Sequence, residues 1–441
     1  MYVVYQGYYS MKLLMSISSL FLLLINTSFA QDSMTVDQAV QRVLQIHPAI
    51  EQALANTRAA EARVSQASTV KLPDVTTEAD YIHIGPVPAF SFPGFGNLVL
   101  APQDNYDAHL VGRYTAYDFG KTNASVDLSQ SKVQNSRDMV ELTKSNLALQ
   151  TIRAFYAIVL LRKSMLVQDE QIEALNEHLT VTQKRVSAGS ATNFDVLTTQ
   201  VRVAASQNQR VEILNSLQKQ ESILRQLLNL TVNAPVLIRG SFEQTSIGLN
   251  IDSLIQVAVQ QRPEMKLARD AEQTAQVQKK VSSLGNMPTL NVNAAYGLKN
   301  GYEPNIYTLR GNWMWGVQAR LPLFDGGRVN HQEEEAQASL QAEQAHSQDV
   351  ERQVRSDVEQ VAADVQAALA KVQISEVQLQ QAQEAVTIAR TRYETGSITN
   401  LDLLDAETAE STAKLTSLQA LYRFVLSKYE LERATGTHFV Y

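Results

Sequence analysis

The chain has 441 residues, a formal net charge of −7 and no cysteine. The acidic balance argues against a nucleic-acid-binding surface, and the lack of cysteine excludes disulfides, thiolate metal sites and a lipid-bearing cysteine after a signal peptide. The low aromatic share of 7% and the Gln-, Ala- and Glu-rich middle favour long exposed helices over a thick globular core.

Residues 1–30 have the pattern of a secretory signal peptide. A lysine precedes an apolar run over 13–25, which is too short to span a bilayer, and small residues follow at 28–30, where a signal peptidase would cut. Residues 1–10 precede a second methionine, Met11, so we expect translation to start there. The mature chain is therefore expected to work outside the cytoplasm.

The rest of the chain is predicted to form two similar halves. Each half begins with a helical pattern broken by a proline, Pro48 or Pro263, and continues with two alternating strands and a long helical hairpin. The predicted units are a first repeat over 31–234 (strands 73–84 and 108–119, hairpin 121–234), a linker over 235–250, a second repeat over 251–436 (strands 288–298 and 312–324, hairpin 328–435) and a tail over 437–441. The offset between the halves falls from 215 before the strands to 207 after them, so the loop at 85–105 is eight residues longer than its counterpart. Insertions are tolerated in exposed loops, which predicts that this loop lies at a free tip.

The halves are a duplication. Residues 185–197 read RVSAGSATNFDVL and residues 392–404 read RYETGSITNLDLL, at an offset of 207. The same offset places Asp-Phe-Gly at 118–120 on Asp-Gly-Gly at 325–327. A period above 200 residues excludes a solenoid of short units and indicates two similar half-proteins.

The predicted strands alternate in polarity. Trp313, Trp315 and Tyr114 lie on the apolar side, whereas Arg113 and Arg320 share the opposite side. Apolar-out, polar-in strands bordered by Trp and Tyr are typical of a transmembrane barrel, with the arginines facing a wet lumen and the aromatic residues at the membrane interface. Alternation alone fits half of a soluble sandwich equally well.

The helical stretches favour the membrane interpretation. A helix of 68 residues rises about 100 Å at ~1.5 Å per residue, and the second stretch carries a coiled-coil seam at Val354, Val358, Val361, Val365, Ala368 and Val372. A glycine would end each long helix and permit the reversal, after which Asn193 and Asn400, or the adjacent threonines, could cap the returning helices. Since four strands cannot close a barrel in lipid, several chains must share one.

The chain resembles the TolC-like outer-membrane efflux protein family over residues 34–436. The resemblance rests on the duplicated Gly-Ser-x-Thr-Asn-x-Asp turn, on Leu-Pro-Leu-Phe-Asp-Gly-Gly at 321–327 and on Leu-Asp-Leu-Leu-Asp-Ala at 401–406. It implies a mostly α, α+β fold in which long antiparallel coiled-coil hairpins form a periplasmic tunnel and four strands per chain contribute to a shared trimeric transmembrane β-barrel. It also implies a homotrimer in outer-membrane lipid, joined by a periplasmic adaptor (membrane fusion) protein to an inner-membrane pump or ABC exporter.

The expected function is a passive exit duct of a tripartite efflux or type I secretion system, exporting small molecules or proteins. We expect no catalytic site, no cofactor and no metal, since the seven histidines form no pair at metal-ligand spacing on a helix. The main alternative is a structural periplasmic coiled-coil protein whose strands form a soluble domain. A periplasmic adaptor would need a lipoyl-like or β-barrel domain flanking one hairpin, and the duplication argues against it.

Asp402 and Asp405 are candidates for a pore constriction. They lie three residues apart at the start of the second returning helix, so three chains would place six carboxylates around one axis. Such a ring would favour cations, bind multivalent cations and raise some carboxylate pKa values. From the residues alone, acids stabilised by the helix dipole are the favoured interpretation, and it is the resemblance that reverses this preference and assigns the selectivity acids to these positions.

Tyr393 and Asp195 are candidates for a link that closes the periplasmic end. In proteins that this chain resembles, a Tyr and an Asp at these positions hydrogen-bond between the two hairpins. Here Ile398 stands where an arginine would complete the link, so the closure is expected to depend on Tyr393 and apolar packing. The alternative makes Tyr393 a seam residue and Asp195 a neighbour of the helix cap.

The two turns are candidates for docking the helical hairpin of an adaptor. The residues concerned are Gly189, Ser190, Thr192, Gly396, Ser397 and Thr399. The same residues are what any tight reversal between helices needs, so both interpretations stay open at this point.

Overall fold

The computed structural model describes residues 33–94, 96–244 and 248–437. The expected signal peptide and the last four residues of the expected tail lie outside these ranges. Among the helices of the described ranges, none combines the length and apolar composition needed to cross a membrane.

The described chain repeats one order of elements twice, and the first half contains one additional pair of short strands. The first half contains α1 (Val36–Ile46), α2 (Pro48–Ser68), β1 (Asp74–His83), β2 (Ala89–Phe92), β3 (Gly96–Val99), β4 (Asp104–Tyr117), α3 (Lys121–Ser187) and α4 (Asn193–Leu227). The second half contains α5 (Ile251–Gln261), α6 (Pro263–Ser283), β5 (Thr289–Lys299), β6 (Arg310–Arg320), α7 (Arg328–Glu394) and α8 (Asn400–Thr435). The two long helices α3 and α7 have the same length of 67 residues, which corresponds to about 100 Å.

The two prolines divide each first helix into two separate helices. Pro48 and Pro263 are the first residues of α2 and α6, where the missing N–H costs no hydrogen bond. His47 precedes the first break in an extended conformation, and its Nδ1 accepts a hydrogen bond from the Ala49 N–H at 3.2 Å. The predicted kink is thus a complete break at matched positions.

A matched aspartate starts each long helix. Asp118 accepts hydrogen bonds from the backbone of Gly120 and Thr122, and Asp325 accepts them from Gly327 and Val329. The Val329 N–H and the other backbone donors hold the pKa of Asp325 below its usual value. This shared junction explains why the Asp-x-Gly pattern recurs at the offset of 207.

Four strands form one antiparallel sheet in the order β1-β4-β5-β6. All helices join these strands at one end of the sheet, and the loops between paired strands lie at the other end. Strands β1 and β6 are the edges and have no partner strand within the described chain. The sheet is therefore an open arc.

The segment predicted as a loop at 85–105 contains additional structure. β2 and β3 pair with each other as a separate two-stranded ribbon, and β4 begins at Asp104, four residues before the predicted strand. The last strand ends at Arg320, before Pro322, although the prediction extended it to residue 324. Proline lacks the N–H that would continue the ladder.

The returning helix of the first hairpin ends at Leu227, although the prediction extended it to residue 234. The segment predicted as a linker packs onto the body of the protein. Val236 is buried, its carbonyl accepts a hydrogen bond from Arg162 at 2.7 Å, and Ile238 forms a parallel bridge with Met34.

The largest apolar core lies halfway along the helices. It joins α1, the middle of α3 and the end of α4 around Phe155, which is fully buried, with Ile152, Ile158 and Leu224 beside it. The seam predicted in α7 is buried at five of its six positions, and Ala362 is fully buried next to the partly buried Val361. Near the turns the apolar clusters are smaller.

Candidate functional site

Both turns end a long helix with the same hydrogen-bonded motif. The Ser190 N–H donates to the Arg185 carbonyl at 2.8 Å and the Gly189 N–H to the Val186 carbonyl at 3.0 Å, which is a Schellman motif. Ser397 and Gly396 repeat it in the second half. Gly189 and Gly396 have φ values of +74° and +75°, a region that other residues rarely adopt, so the turn chemistry requires glycine.

Both returning helices begin with a capping box. The carboxylate of Asp195 accepts hydrogen bonds from the backbone N–H and the hydroxyl of Thr192, and the Asp195 N–H donates to the Thr192 hydroxyl. Thr399 and Asp402 repeat this arrangement in α8. The threonines, rather than Asn193 and Asn400, are therefore the caps.

The two candidate constriction acids have different surroundings. Both side chains are exposed, and the Thr399 hydroxyl and backbone N–H lower the pKa of Asp402. Asp405 accepts a hydrogen bond at 2.8 Å from Arg202, which lies on α4. In the first half Thr198 takes the place of Asp405, so only the second turn carries two acids.

Tyr393 lies where the two turns meet. Its side chain is 7% exposed, and the guanidinium of Arg185 lies 4.4 Å from the centroid of its ring. Arg185 also donates to the carbonyl oxygens of Tyr393 at 3.1 Å and Glu394 at 3.4 Å. Ile398 packs against an apolar cluster that contains Tyr393. Within one chain, the first turn thus holds the second through Arg185, while the carboxylate of Asp195 bonds to Thr192.

A buried polar contact joins the two hairpins beside Tyr393. His178 on α3 donates from Nε2 to Oδ1 of Asn400 at 2.6 Å, and its ring lies 5.1 Å from that of Tyr393. The Asn400 amide also donates to the Asp195 carbonyl at 3.3 Å. The sequence prediction missed His178 and Arg185 as contact residues. The pairing of Arg185 with Arg392 in the repeat was the one signal that pointed to either of them.

The sheet register places the predicted lumen residues and aromatic residues on opposite faces. Arg113 pairs with Asn293, which pairs with Gly316, so Arg113 and Arg320 share the polar face. That face carries ion pairs between Arg113 and Glu78 at 2.5 Å and between Lys299 and Asp107 at 2.9 Å. The opposite face carries the aromatic side chains Tyr114, Trp313 (71% exposed) and Trp315 (69% exposed). An apolar face so exposed needs an apolar environment.

The chain matches a known family along most of its length. The family described as outer membrane efflux protein matches residues 39–230 and 254–437. The outer membrane protein TolC of Escherichia coli (strain K12) is 23% identical over 420 residues, which cover 91% of this chain and 82% of TolC. The proteases secretion protein PrtF of Dickeya chrysanthemi is 21% identical over 351 residues, which cover 77% of this chain and 75% of PrtF.

The fold matches solved outer-membrane channels. The outer membrane protein VceC from Vibrio cholerae superimposes with a TM-score of 0.77 at 21% identity and covers 92% of this chain and 96% of VceC. The long hairpins, the sheet with two open edges and the family match agree with one another. The chain belongs to the outer membrane efflux protein family and is, as a member of it, an outer-membrane exit duct of efflux and type I secretion systems rather than an enzyme.

Proposed function

We propose that three copies of this chain form one channel. The observation that carries the proposal is the four-stranded arc, whose edge strands β1 and β6 have no partner in the described chain and whose apolar face is exposed. Unpaired backbone groups are not tolerated in lipid, and three arcs would supply twelve strands, enough for a barrel with an open lumen. Arg113 and Arg320 would then line the lumen, and Tyr114, Trp313 and Trp315 would lie at the lipid interface.

We propose that Asp402 and Asp405 form the constriction at the periplasmic end. Both carboxylates are exposed in the single chain and lie within the first two turns of α8. Three chains would bring six carboxylates to the axis, and three of them would be partly neutralised by Arg202. The expected result is a cation-selective pore that multivalent cations block.

We propose that Tyr393 and Asp195 hold the closed state together with Arg185, His178 and Asn400. The closure does not need an arginine at position 398, because Arg185 supplies a cation from the other turn. An adaptor that separates the two turns would break these contacts and open the channel.

We propose that the turn residues named above receive the hairpin tip of a periplasmic adaptor. The capping and Schellman bonds fix the shape of both turns, so a partner would meet a rigid surface. Gly396→Val forces a β-branched residue into the left-handed region, where even an ordinary side chain costs roughly 1–2 kcal/mol, although no atom lies within 4 Å of the added Cβ. We expect trimers to persist and partner-dependent export to fall; export at the wild-type level would remove the turn from the docking site.

The energy for transport would come from an inner-membrane pump or ABC exporter. The likeness to a proteases secretion protein supports protein cargo, and the likeness to TolC leaves small molecules equally open. The test of the proposal is single-channel recording of detergent-extracted protein in a planar bilayer, with its mass measured in parallel. Trimers with cation-selective steps are expected. A monomer without conductance would leave the structural coiled-coil interpretation.

A further inference from the structure

The segment that links β1 to β4, which contains the ribbon formed by β2 and β3, is free of charge. Residues 84–103 contain no Asp, Glu, Lys, Arg or His, whereas His83 and Asp104 stand at its two ends. The corresponding loop of the second half, residues 300–309, is half as long and carries Glu303. The ribbon is therefore chemically unlike both the polar face of the sheet and the other tip.

The ribbon presents apolar side chains to its surroundings. Phe90 is 57% exposed, and Leu100 and Ile84 are exposed as well. Along β2 the residues alternate, so Phe90 lies on one face and Ala89 and Ser91 lie on the other. One face of this ribbon thus carries the exposed ring of Phe90, and the opposite face carries Ala89, Ser91 and Val99, none of which is charged.

The ribbon begins directly beyond an aromatic pair on the apolar face of the sheet. Tyr81 and Tyr106 are opposite one another in the register, with ring centroids 5.1 Å apart. Tyr117 marks the other end of that face. The 11 residue-to-residue steps from Tyr106 to Tyr117 span about 28 Å along the membrane normal at ~3.4 Å per step and a ~40° strand tilt. This is close to the ~25 Å apolar band of an outer-membrane barrel.

We propose that residues 84–103 form a second lipid-contacting element, which lies in the outer-leaflet interface with Phe90 toward the acyl chains. The proposal rests on the placement of the sheet in the membrane. The ribbon leaves the sheet at the level of the upper tyrosines, where aromatic side chains are favoured at a membrane surface. Folded across the channel mouth, it would expose an uncharged aromatic face to water, which monomeric surfaces avoid. A two-stranded ribbon is marginal in water and gains stability from an apolar support.

The natural chain has no cysteine, so a single introduced cysteine can be labelled without background. A spin label at Phe90→Cys would be compared with a lipid reference at Leu110→Cys, on the apolar face, and a water reference at Tyr307→Cys, in the second tip loop, where Tyr307 is 67% exposed. Each variant would be reconstituted into vesicles of phosphatidylcholine and phosphatidylglycerol. Collision rates with oxygen and with a water-soluble nickel chelate report the depth of each label.

We expect the oxygen-to-nickel ratio at position 90 to exceed that at position 307 severalfold and to stay below that at position 110, which lies four residues deeper in the apolar band than Tyr106. Leu100→Cys gives a second reading if Phe90→Cys fails to assemble. A ratio equal to that at position 307 would place the ribbon in water. Spin–spin broadening at position 90, with low collision rates for both oxygen and the nickel chelate, would place the ribbons of the three chains against one another. Either result overturns the proposal, while retained conductance would leave the channel itself intact.

Discussion

Arg185 connects the two turns, and its removal is expected to open the periplasmic end. Its guanidinium contacts the ring of Tyr393 and donates to the Tyr393 carbonyl at 3.1 Å. A partly buried cation–π contact contributes about 1 kcal/mol, and a hydrogen bond from a charged donor adds at least about 1 kcal/mol. Arg185→Ala therefore removes roughly 2 kcal/mol from the closed arrangement, which shifts the ratio of closed to open channels about thirtyfold.

The duplication supplies a matched control for this variant. Arg392 holds the same position 207 residues later, and its side chain is exposed. Single-channel recordings of Arg185→Ala and Arg392→Ala under identical conditions would compare their open probabilities. We expect a rise for the first variant and a wild-type value for the second. An equal rise in both, or none in Arg185→Ala, would refute the role of this contact.

Tyr393→Phe distinguishes between two contacts that could keep the periplasmic end closed, the contact of Arg185 with Tyr393 and a hydrogen bond from the Tyr393 hydroxyl to Asp195. The variant keeps the ring and the backbone carbonyl that Arg185 contacts, but it loses the hydroxyl that the resemblance assigns to a link with Asp195. We expect its open probability to lie between those of the wild type and Arg185→Ala. A value above that of Arg185→Ala would make the hydroxyl link the stronger of the two.

Three further variants test the constriction, the sheet and the helix packing. Asp402→Asn combined with Asp405→Asn is expected to weaken cation preference and divalent block, and unchanged reversal potentials in a salt gradient would argue against the ring. A Cβ at Gly297 would collide with the backbone of the facing strand, so Gly297→Ala should reduce the amount of assembled trimer on a native gel. Gly311→Ala is the control and should not reduce it, because no atom lies within 4 Å of the Cβ added there. Equal trimer yields for the two variants would contradict this packing. Burial and a neighbouring carboxyl group raise the pKa of Asp270 from 3.8 to about 7. The folded chain then holds a proton that the unfolded chain releases, and stability falls as the pH rises through this range. Asp270→Asn should therefore raise Tm at pH 8 and leave it nearly unchanged below pH 4; equal gains at both values would exclude this origin.

The parts of the fold that depend on local chemistry could be predicted from the sequence. A glycine that must adopt a positive φ, a threonine cap and an aspartate three residues later all lie within one short segment, so the turns were recognisable. Alternation along each strand likewise indicated which side carries Arg113 and which carries Trp313. Such patterns need no knowledge of distant residues.

The contacts between the hairpins could not be predicted in this way. Arg185 and Tyr393 are 208 residues apart in the chain, and Arg202 and Asp405 are 203 apart. Helical periodicity shows which face of a helix is apolar, but it does not show which polar side chain of another helix lies opposite. The ribbon at 89–99 was missed for a different reason, because its Pro- and Gly-rich flanks are typical of irregular loops.

The main core lies far from the turn of the first hairpin, so a small rotation of the helices at the core produces a large displacement at the turn. Phe155 lies in the largest apolar core, and Gly189 follows 34 residues later, just past the end of the same helix and about 51 Å away at ~1.5 Å per residue. A tilt of about 5° at the core would displace the turn by roughly 4–5 Å. Such a tilt can be absorbed by small sliding movements of packed helices. The adaptor proposed to bind at the turns would therefore need only a small rotation of the helices about the buried core to displace the turns by several ångströms.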